Sequence, residues 1–448
     1  MNNRIETAEH LSLASLRPDF IWGVSTSSFQ IEGATREDGR GLSIWDIYGQ
    51  SGEIQNHDTG DVACDHYHRY GEDIALMKQL GIQAYRFSVA WPRILPTGQG
   101  EINERGLAFY DRLIDGLLAA GIEPWLCLYH WDLPQALEER GGWLNRESVE
   151  WFADYARIAA RRFGDRVKRF ATFNEPSIFT LFSRAIGRDK TAEDKFHRTI
   201  HHVNLAHGAA VDVLRATVKG ASIGSIHSRQ PCRPSSSEEA DAAAAARLDV
   251  YWNDAFPEPQ YRGEYPPLLR PGIEPHLLAG DLARICRPLD WFGLNHYSPV
   301  YVKANPGTML GYDFGDKPPG TPLTPIDWPI EPDAFREVLV AAHERYGLPI
   351  YVTENGYGAH DRPDASGAVD DPERIRFLAD YTASMAAAAA QGADIRGYFV
   401  WSLLDNFEWD FGYSHRFGIT YVDYATLRRI PKSSFHWYKN LITATRHA

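Results

Sequence analysis

The feature that most limits what this chain can fold into is a rhythm: short apolar runs alternate with helix-like segments along the sequence. The runs are FIWGVS from Phe20, AYRFSV from Ala84, EPWLCLYH from Glu123, RFATFNE from Arg169, ASIGSIHS from Ala221, WFGLNHY from Trp291, PIYVTEN from Pro349 and GYFVWS from Gly397. Each has the length of a strand, and the segments between them space apolar residues as a helix face does. One such segment, NERGLAFYDRLIDGLLAAG, places Asn103 as N-cap and Gly121 as stop. Another, DPERIRFLADYTASM, places Asp371 as cap, Pro372 at the first helical position and Glu373 in the first turn, where the helix dipole favours an acid. Gly81, Gly164, Gly220, Gly347 and Gly392 punctuate the other units.

Strand, helix, glycine, strand is the repeating unit, which implies parallel strands with helical crossovers. Eight units in 448 residues favour a closed (β/α)8 TIM barrel with extended βα loops over an open doubly wound sheet. A single domain over residues 1–448 accounts for the chain, with residues 1–16 expected as a flexible N-terminal extension, and no Ser/Gly-rich or Pro-rich linker divides it. CRPSSSEEADAAAAARL reads as a loop entering an Ala-rich helix. Residues 303–332, with many Pro and Gly, read as one long surface loop, of the kind that builds substrate sites on barrels.

Composition removes several function classes. With 59 acidic against 46 basic residues, a formal charge of −13 and no long Lys/Arg run, nucleic acid is excluded as the ligand. The 13 Trp, 22 Tyr and 21 Phe suit both a deep core and flat amphipathic ligands that stack on rings. Cys64, Cys127, Cys232 and Cys286 lie far apart with no C-x-x-C pair, so they read as small core residues rather than a zinc site or disulfide framework. HRTIHHVNLAHG, from His197 to Gly208, has the spacing of a helix facing both core and solvent rather than of a metal-ligand set. Glu6 and Glu9 interrupt the apolar stretch that a secretory leader needs, and no apolar segment reaches the roughly 18 residues of a membrane span. The expected location is the cytoplasm, with a small molecule as partner, no cofactor and no metal; a homo-oligomer is compatible with the sequence.

In a barrel, polar residues at the C-terminal strand ends converge on one mouth. Strand one runs into Gln30 and Glu32, strand two holds Arg86, strand three ends at His130 and Trp131, and strand four at Asn174 and Glu175. Strand six supplies Asn295 and Tyr297, strand seven Glu354, and strand eight Trp401 followed by DNFEWDFGYSHRFG. Asn-Glu-Pro or Glu-Asn-Gly alone is more often an ordinary turn. Glu175 and Glu354 on strands across the mouth from each other suit a pair acting on one glycosidic bond. Carboxyls about 5 Å apart give a nucleophile and an acid/base with retention, whereas wider spacing admits water and inverts, and the sequence leaves that distance open. Asn174 is placed to bond a sugar 2-hydroxyl, and Arg86 and Tyr297 to hold Glu354 ionised.

Taken together, FIWGVSTSSFQIEG, YRFSVAWPRILP, YHWDLPQAL, TFNEP, YVTENG and WSLLDNFEWDFGYSHRFG resemble the β-glucosidases of glycoside hydrolase family 1, in the family's order, from Phe20 to about Ile442. The resemblance implies a (β/α)8 barrel and retaining hydrolysis of β-glycosides without metal or cofactor. It implies Glu175 as acid/base and Glu354 as nucleophile, and sugar-binding roles for Gln30, His130, Trp131, Asn174, Asn295, Tyr297, Trp401, Glu408, Trp409 and Phe417. Members acting on 6-phosphorylated sugars carry residues including Ser and Lys where this chain has Glu408 and Trp409, so an unphosphorylated β-glucoside is implied, with tolerance for galactosides or fucosides.

Two departures concern the leaving group. Ser177 follows Asn-Glu-Pro where the family usually has Trp, and SIFTLFSRAIGRDK replaces a Gly-rich stretch with Pro-Gly; His296 stands where Tyr is common. Ser177 is therefore expected on the aglycone side. Small aryl or natural-product aglycones, and transfer to an acceptor other than water, stay open, while intact Glu175 and Glu354 disfavour a catalytically silent carbohydrate-binding barrel. An aldolase or metal-dependent hydrolase would need a Schiff-base Lys or a His/Asp cluster, which these strand ends do not offer.

Overall fold

The computed structural model describes residues 16–182 and 193–446. Strands β1 (Ile21–Ser25), β2 (Ala84–Ser88), β3 (Glu123–Tyr129), β4 (Arg169–Asn174), β5 (Ser222–Ser228), β6 (Trp291–Asn295), β7 (Ile350–Asn355) and β8 (Ile395–Trp401) form a closed barrel. Each strand pairs in parallel with its sequence neighbours, and β8 closes on β1 with Ile21 opposite Gly397 and Ser25 opposite Trp401. Closure leaves no sheet edge unpaired. Helices α1 (His66–Leu80), α2 (Glu104–Ala119), α3 (Ser148–Phe163), α4 (Glu193–Thr217), α5 (Glu239–Asp249), α6 (Pro332–Tyr346), α7 (Pro372–Ala390) and α8 (Ser433–Arg446) follow the strands in order. The (β/α)8 architecture expected from the sequence is the observed one.

Details at the ends differ from expectation for local reasons. Asn103 sits at the N-cap of α2, but its amide makes no capping bond and donates instead to the carbonyls of Asp38 and Arg93, at 2.8 and 2.9 Å. Asp371 likewise sits at the N-cap of α7 without capping it; its carboxylate accepts from the Ser434 N–H at 2.8 Å and hydroxyl at 2.6 Å, clasping α8. Residues 303–332 are not one loop: Val300–Ala304 pairs antiparallel with Tyr312–Phe314 and in parallel with Cys232–Pro234. The extension expected over residues 1–16 lies outside the described residues except for Leu16, which packs against the core.

The histidines of α4 do not divide between core and solvent. His197, His201, His202 and His207 are all buried, bonded respectively to Tyr251, to Tyr265 and Asp281, to the Trp143 carbonyl, and to Thr172. Of the four free cysteines, Cys64 and Cys127 are buried while Cys232 and Cys286 are half-buried. Among the described residues no helix is long and apolar enough to cross a membrane.

Inside the barrel, Trp125, Trp291, Tyr351, Phe399 and Ile226 form one apolar cluster, and the Arg169 guanidinium lies 5.1 Å from the Trp125 ring. Residues of this size fill the interior as a packed floor, above which the polar groups of the C-terminal strand ends gather. Behind that mouth, Lys432 is fully buried and donates to Asp361 at 2.5 Å and Asp405 at 2.7 Å. Asp405 also takes Arg416 at 2.8 Å, and Asp361 takes Arg374 at 2.6 Å. The network ties the loops after β7 and β8 to the start of α8. Removing one partner strands buried charge, so Lys432→Met is expected to cost about 3 to 5 kcal/mol, read as a lowered urea midpoint; a loss within error in that measurement would show the network to be dispensable.

Candidate active site

Glu175 is the first residue past β4, and its backbone takes the left-handed values φ 48° and ψ 61° before Pro176 opens the short helix Pro176–Thr180. Its N–H donates to the Ile226 carbonyl at 2.9 Å, which anchors the turn to β5. Trp131 and Trp409 also have positive φ, 77° and 51°. Such conformations cost a residue with a side chain about 1 to 3 kcal/mol each and persist where surrounding packing fixes them. All three line the same cavity of about 1230 Å³.

Glu354 lies within β7, where the register against β6 slips so that Val352 faces Leu294 and Glu354 faces Asn295. A bulge of this kind turns a strand end and re-aims its side chains. The glycine of Glu-Asn-Gly has a steric reason: a Cβ on Gly356 would lie 1.8 Å from the Trp401 carbonyl oxygen, so only glycine lets β7 approach β8 this closely.

The two carboxyl groups are joined through a continuous set of hydrogen bonds. Arg86 donates to Glu354 at 2.5 Å and to the side-chain oxygen of Asn174, Oδ1, at 2.7 Å. Asn295 donates to that same Asn174 oxygen at 3.0 Å and to Glu175 at 3.1 Å, and its own oxygen accepts from Thr353 at 2.6 Å. Tyr297 donates to the other oxygen of Glu354 at 2.8 Å. Since the Asn174 oxygen is held by two donors, its NH2 faces His130 Nε2 at 3.2 Å. Burial and then Arg86 hold the His130 pKa well below its usual value, so the ring is neutral, accepts at Nε2 and carries its proton on Nδ1. That N–H meets no acceptor among the described residues.

Electrostatics separate the acids. Burial first, and the Glu354 charge second, push the Glu175 pKa up to about 8, while Asn295 and Arg86 oppose the rise. Desolvation is the larger cause and the Glu354 charge the smaller. Burial and then Glu354 push Glu408 up to about 8 as well, opposed by hydrogen bonds from Gln30 and Trp401.

The remaining expected residues gather at this cavity in two layers. His130, Trp131, Glu175, Tyr297, Glu354, Trp401, Glu408, Trp409 and Phe417 form its surface. Gln30, Arg86, Asn174 and Asn295 are buried directly behind it. Gln30, for example, donates to Glu408 at 3.3 Å and to the Phe407 carbonyl at 2.9 Å. The ring of His130 stacks on Trp401 and on Trp409, at centroid distances of 5.8 and 5.9 Å. His296 turns away, bonding the Arg229 carbonyl at 2.7 Å and stacking on Phe335.

Ser177 is not where the sequence put it. It is buried, and the wall beyond Glu175 is formed by Ile178, Phe179, Thr180 and Phe182 instead. The helix that starts at Pro176 turns Ser177 behind this surface; the remainder of the divergent stretch, residues 183–190, lies outside the described residues. Sequence reasoning also missed Trp252 in the helical turn Val250–Asp254, Phe314 at the end of the short strand Tyr312–Phe314, and Trp328, all of which line the cavity from outside the barrel strands. Trp328 meets Tyr297 and Phe417 at ring distances of 5.5 and 5.7 Å. The one available signal was an aromatic residue in a Pro- and Gly-rich stretch.

The chain is similar to known proteins over nearly its whole length. The family model described as Glycosyl hydrolase family 1 matches residues 12–447. A beta-glucosidase A from Thermotoga maritima is 43% identical over 94% of this chain and 96% of its own. A bifunctional beta-D-glucosidase/beta-D-fucosidase from Bifidobacterium breve is 42% identical, covering 94% of this chain and 97% of that one. Among solved structures, the Thermotoga maritima beta-glucosidase in complex with glucoimidazole superposes with a TM-score of 0.90 at 41% identity, over 96% of this chain and 99% of that one. A psychrophilic beta-glucosidase from Micrococcus antarcticus superposes at 0.92 with 40% identity, over 98% and 99%. The chain belongs to glycosyl hydrolase family 1. It is an O-glycosyl hydrolase of the β-glucosidase type.

The raised pKa of Glu175 has a consequence for stability. The folded state holds this proton up to about pH 8, whereas the unfolded chain releases it near 4.5. Stability from this group is therefore lost as pH rises between those values. Glu175→Gln is expected to unfold at a higher temperature than the unaltered protein at pH 8, with the difference vanishing near pH 4.5; calorimetry showing a pH-independent difference would contradict the assignment.

Proposed function

We propose that the protein hydrolyses unphosphorylated β-D-glucosides, and tolerates β-D-fucosides and β-D-galactosides, by double displacement through a covalent glycosyl-enzyme. The observation that carries the reading is the hydrogen-bonded chain from Glu175 through Asn295, Asn174 and Arg86 to Glu354, which places one carboxyl with a raised pKa opposite one gripped by a guanidinium and a phenol. Glu354 attacks the anomeric carbon while Glu175 gives its proton to the departing oxygen. Ester formation removes the Glu354 charge, so the pKa of Glu175 falls and its carboxylate then takes a proton from the water that releases the sugar. Asn174, His130, Gln30 and Glu408 hold the sugar hydroxyls, and Trp401, Trp409 and Phe417 pack against its faces.

Charge supports a neutral sugar. Among the described residues lining the cavity the sole lysine or arginine is Lys317, which pairs with Asp327 at 2.5 Å. A sugar phosphate beside Glu408 and Glu354 would find only cations already paired, Lys317 with Asp327 and Arg86 with Glu354. Cytoplasmic location is proposed on the four free thiols, which suit a reducing compartment.

Proton NMR of the first-formed sugar is expected to show the β-anomer, and an α-product would rule out retention. Glu354→Ala is expected to be inactive with an unaltered circular dichroism spectrum. Glu175→Ala is expected to lose about 10² to 10⁴ in rate on phenyl β-glucoside, and far less on 2,4-dinitrophenyl β-glucoside, whose leaving group departs without a proton. In the unaltered enzyme kcat/KM should fall above about pH 8 as Glu175 loses that proton; a profile flat to pH 10 or a uniform loss on both substrates would remove Glu175 from the acid role.

A further inference from the structure

One cavity-lining group has an unspent hydrogen bond. Ser228 is the last residue of β5, and Ile226 two positions before it belongs to the apolar cluster inside the barrel, so the strand alternation turns Ser228 inward as well. It lines the cavity and is buried. Its Cα lies opposite that of Asn295, the residue whose amide donates to Glu175, and the Glu175 N–H is held by the Ile226 carbonyl. Ser228 therefore stands on the leaving-group side of the bond being cut.

The surrounding bonds fix the direction of its proton. The Gln230 carbonyl oxygen accepts from the backbone N–H groups of Tyr297 and Ser298, at 3.4 and 3.2 Å, which settles the orientation of that amide. Its NH2 must then donate to Ser228 Oγ, at 3.2 Å. Trp252 Nε1 also donates to Ser228 Oγ, at 3.1 Å, and an indole N–H is a donor only. With two donors already on its oxygen, the hydroxyl keeps its own proton to give, and it meets no acceptor among the described residues.

We infer that Ser228 is an aglycone-recognition residue, donating a hydrogen bond to an oxygen of a hydroxyl-bearing leaving group, such as a second sugar, held against the Trp252 wall. This rests on the glycosidase reading above and adds the chemical class of the leaving group. Apolar rings alone would select by area; a donor positioned by two fixed partners selects by the presence of an oxygen.

The test compares kcat/KM for cellobiose and for phenyl β-glucoside, which share the glucose and differ in whether the aglycone carries hydroxyls. Ser228→Ala is expected to lower the cellobiose to phenyl glucoside ratio about 3- to 10-fold, the range of one net hydrogen bond. Ser228→Thr, which keeps the hydroxyl, should restore the ratio. Ser228→Cys keeps the size but donates weakly; it should show the same fall and serves if Ser228→Ala does not fold. An unchanged ratio in an active Ala or Cys variant, or an unaltered enzyme that cleaves phenyl β-glucoside but not cellobiose, would overturn the role of Ser228 alone. Failure of the unaltered enzyme on both substrates would instead overturn the glycosidase reading.

Discussion

The pairing of Arg86 with Glu354 is the interaction on which the mouth of the barrel depends. Both side chains are almost wholly buried, at 2% and 5% exposure, so each charge is stabilised chiefly by the other. Both terminal nitrogens of Arg86 are used: one meets Glu354 and the other fixes the Asn174 side-chain amide. From that amide follow the tautomer of His130 and the position of Asn295, and from Asn295 the placement of Glu175. The polarity of a whole site is thus set by one guanidinium on β2.

The same logic explains why two glutamates in one cavity behave differently. Glu354 is gripped by Arg86 and Tyr297, while Glu175 has a single amide donor and a left-handed turn that carries it out of the strand ladder. Protein environments tune acids by partners as well as by burial, and with Glu175 and Glu354 both buried the difference between them lies in the partners. The bulge in β7, the glycine at 356 and the strained turns at Trp131, Glu175 and Trp409 are the backbone devices that bring those unequal environments together.

Much of this was legible in the residues. Strand alternation located all eight barrel strands, because a buried parallel strand must be apolar and short. The polar residues at the C-terminal strand ends pointed to the cavity, because in a barrel those ends share one mouth. What failed was local. Asn103 and Asp371 have capping chemistry in their names but spend it on distant partners, which no helix rule sees. Ser177 was placed by its neighbourhood to Glu175, whereas a helix starting at Pro176 rotates it out of the wall. Trp252, Phe314 and Trp328 come from excursions between the barrel strands, where the rhythm of the barrel carries no signal about facing.

The clasp formed by Lys432, Asp361 and Asp405, together with the closure of β8 on β1, sets an order of assembly during synthesis from the N-terminus. β1 leaves the ribosome early and has β2 on one side, but its other edge must wait for β8, and the loop bearing Glu408 and Trp409 waits longer still for Lys432. The side of the cavity lined by Glu408 and Trp409 is therefore completed last. A nascent chain can hold both Glu175 and Glu354 and still have no competent site, which makes its open β1 edge a natural client for chaperones.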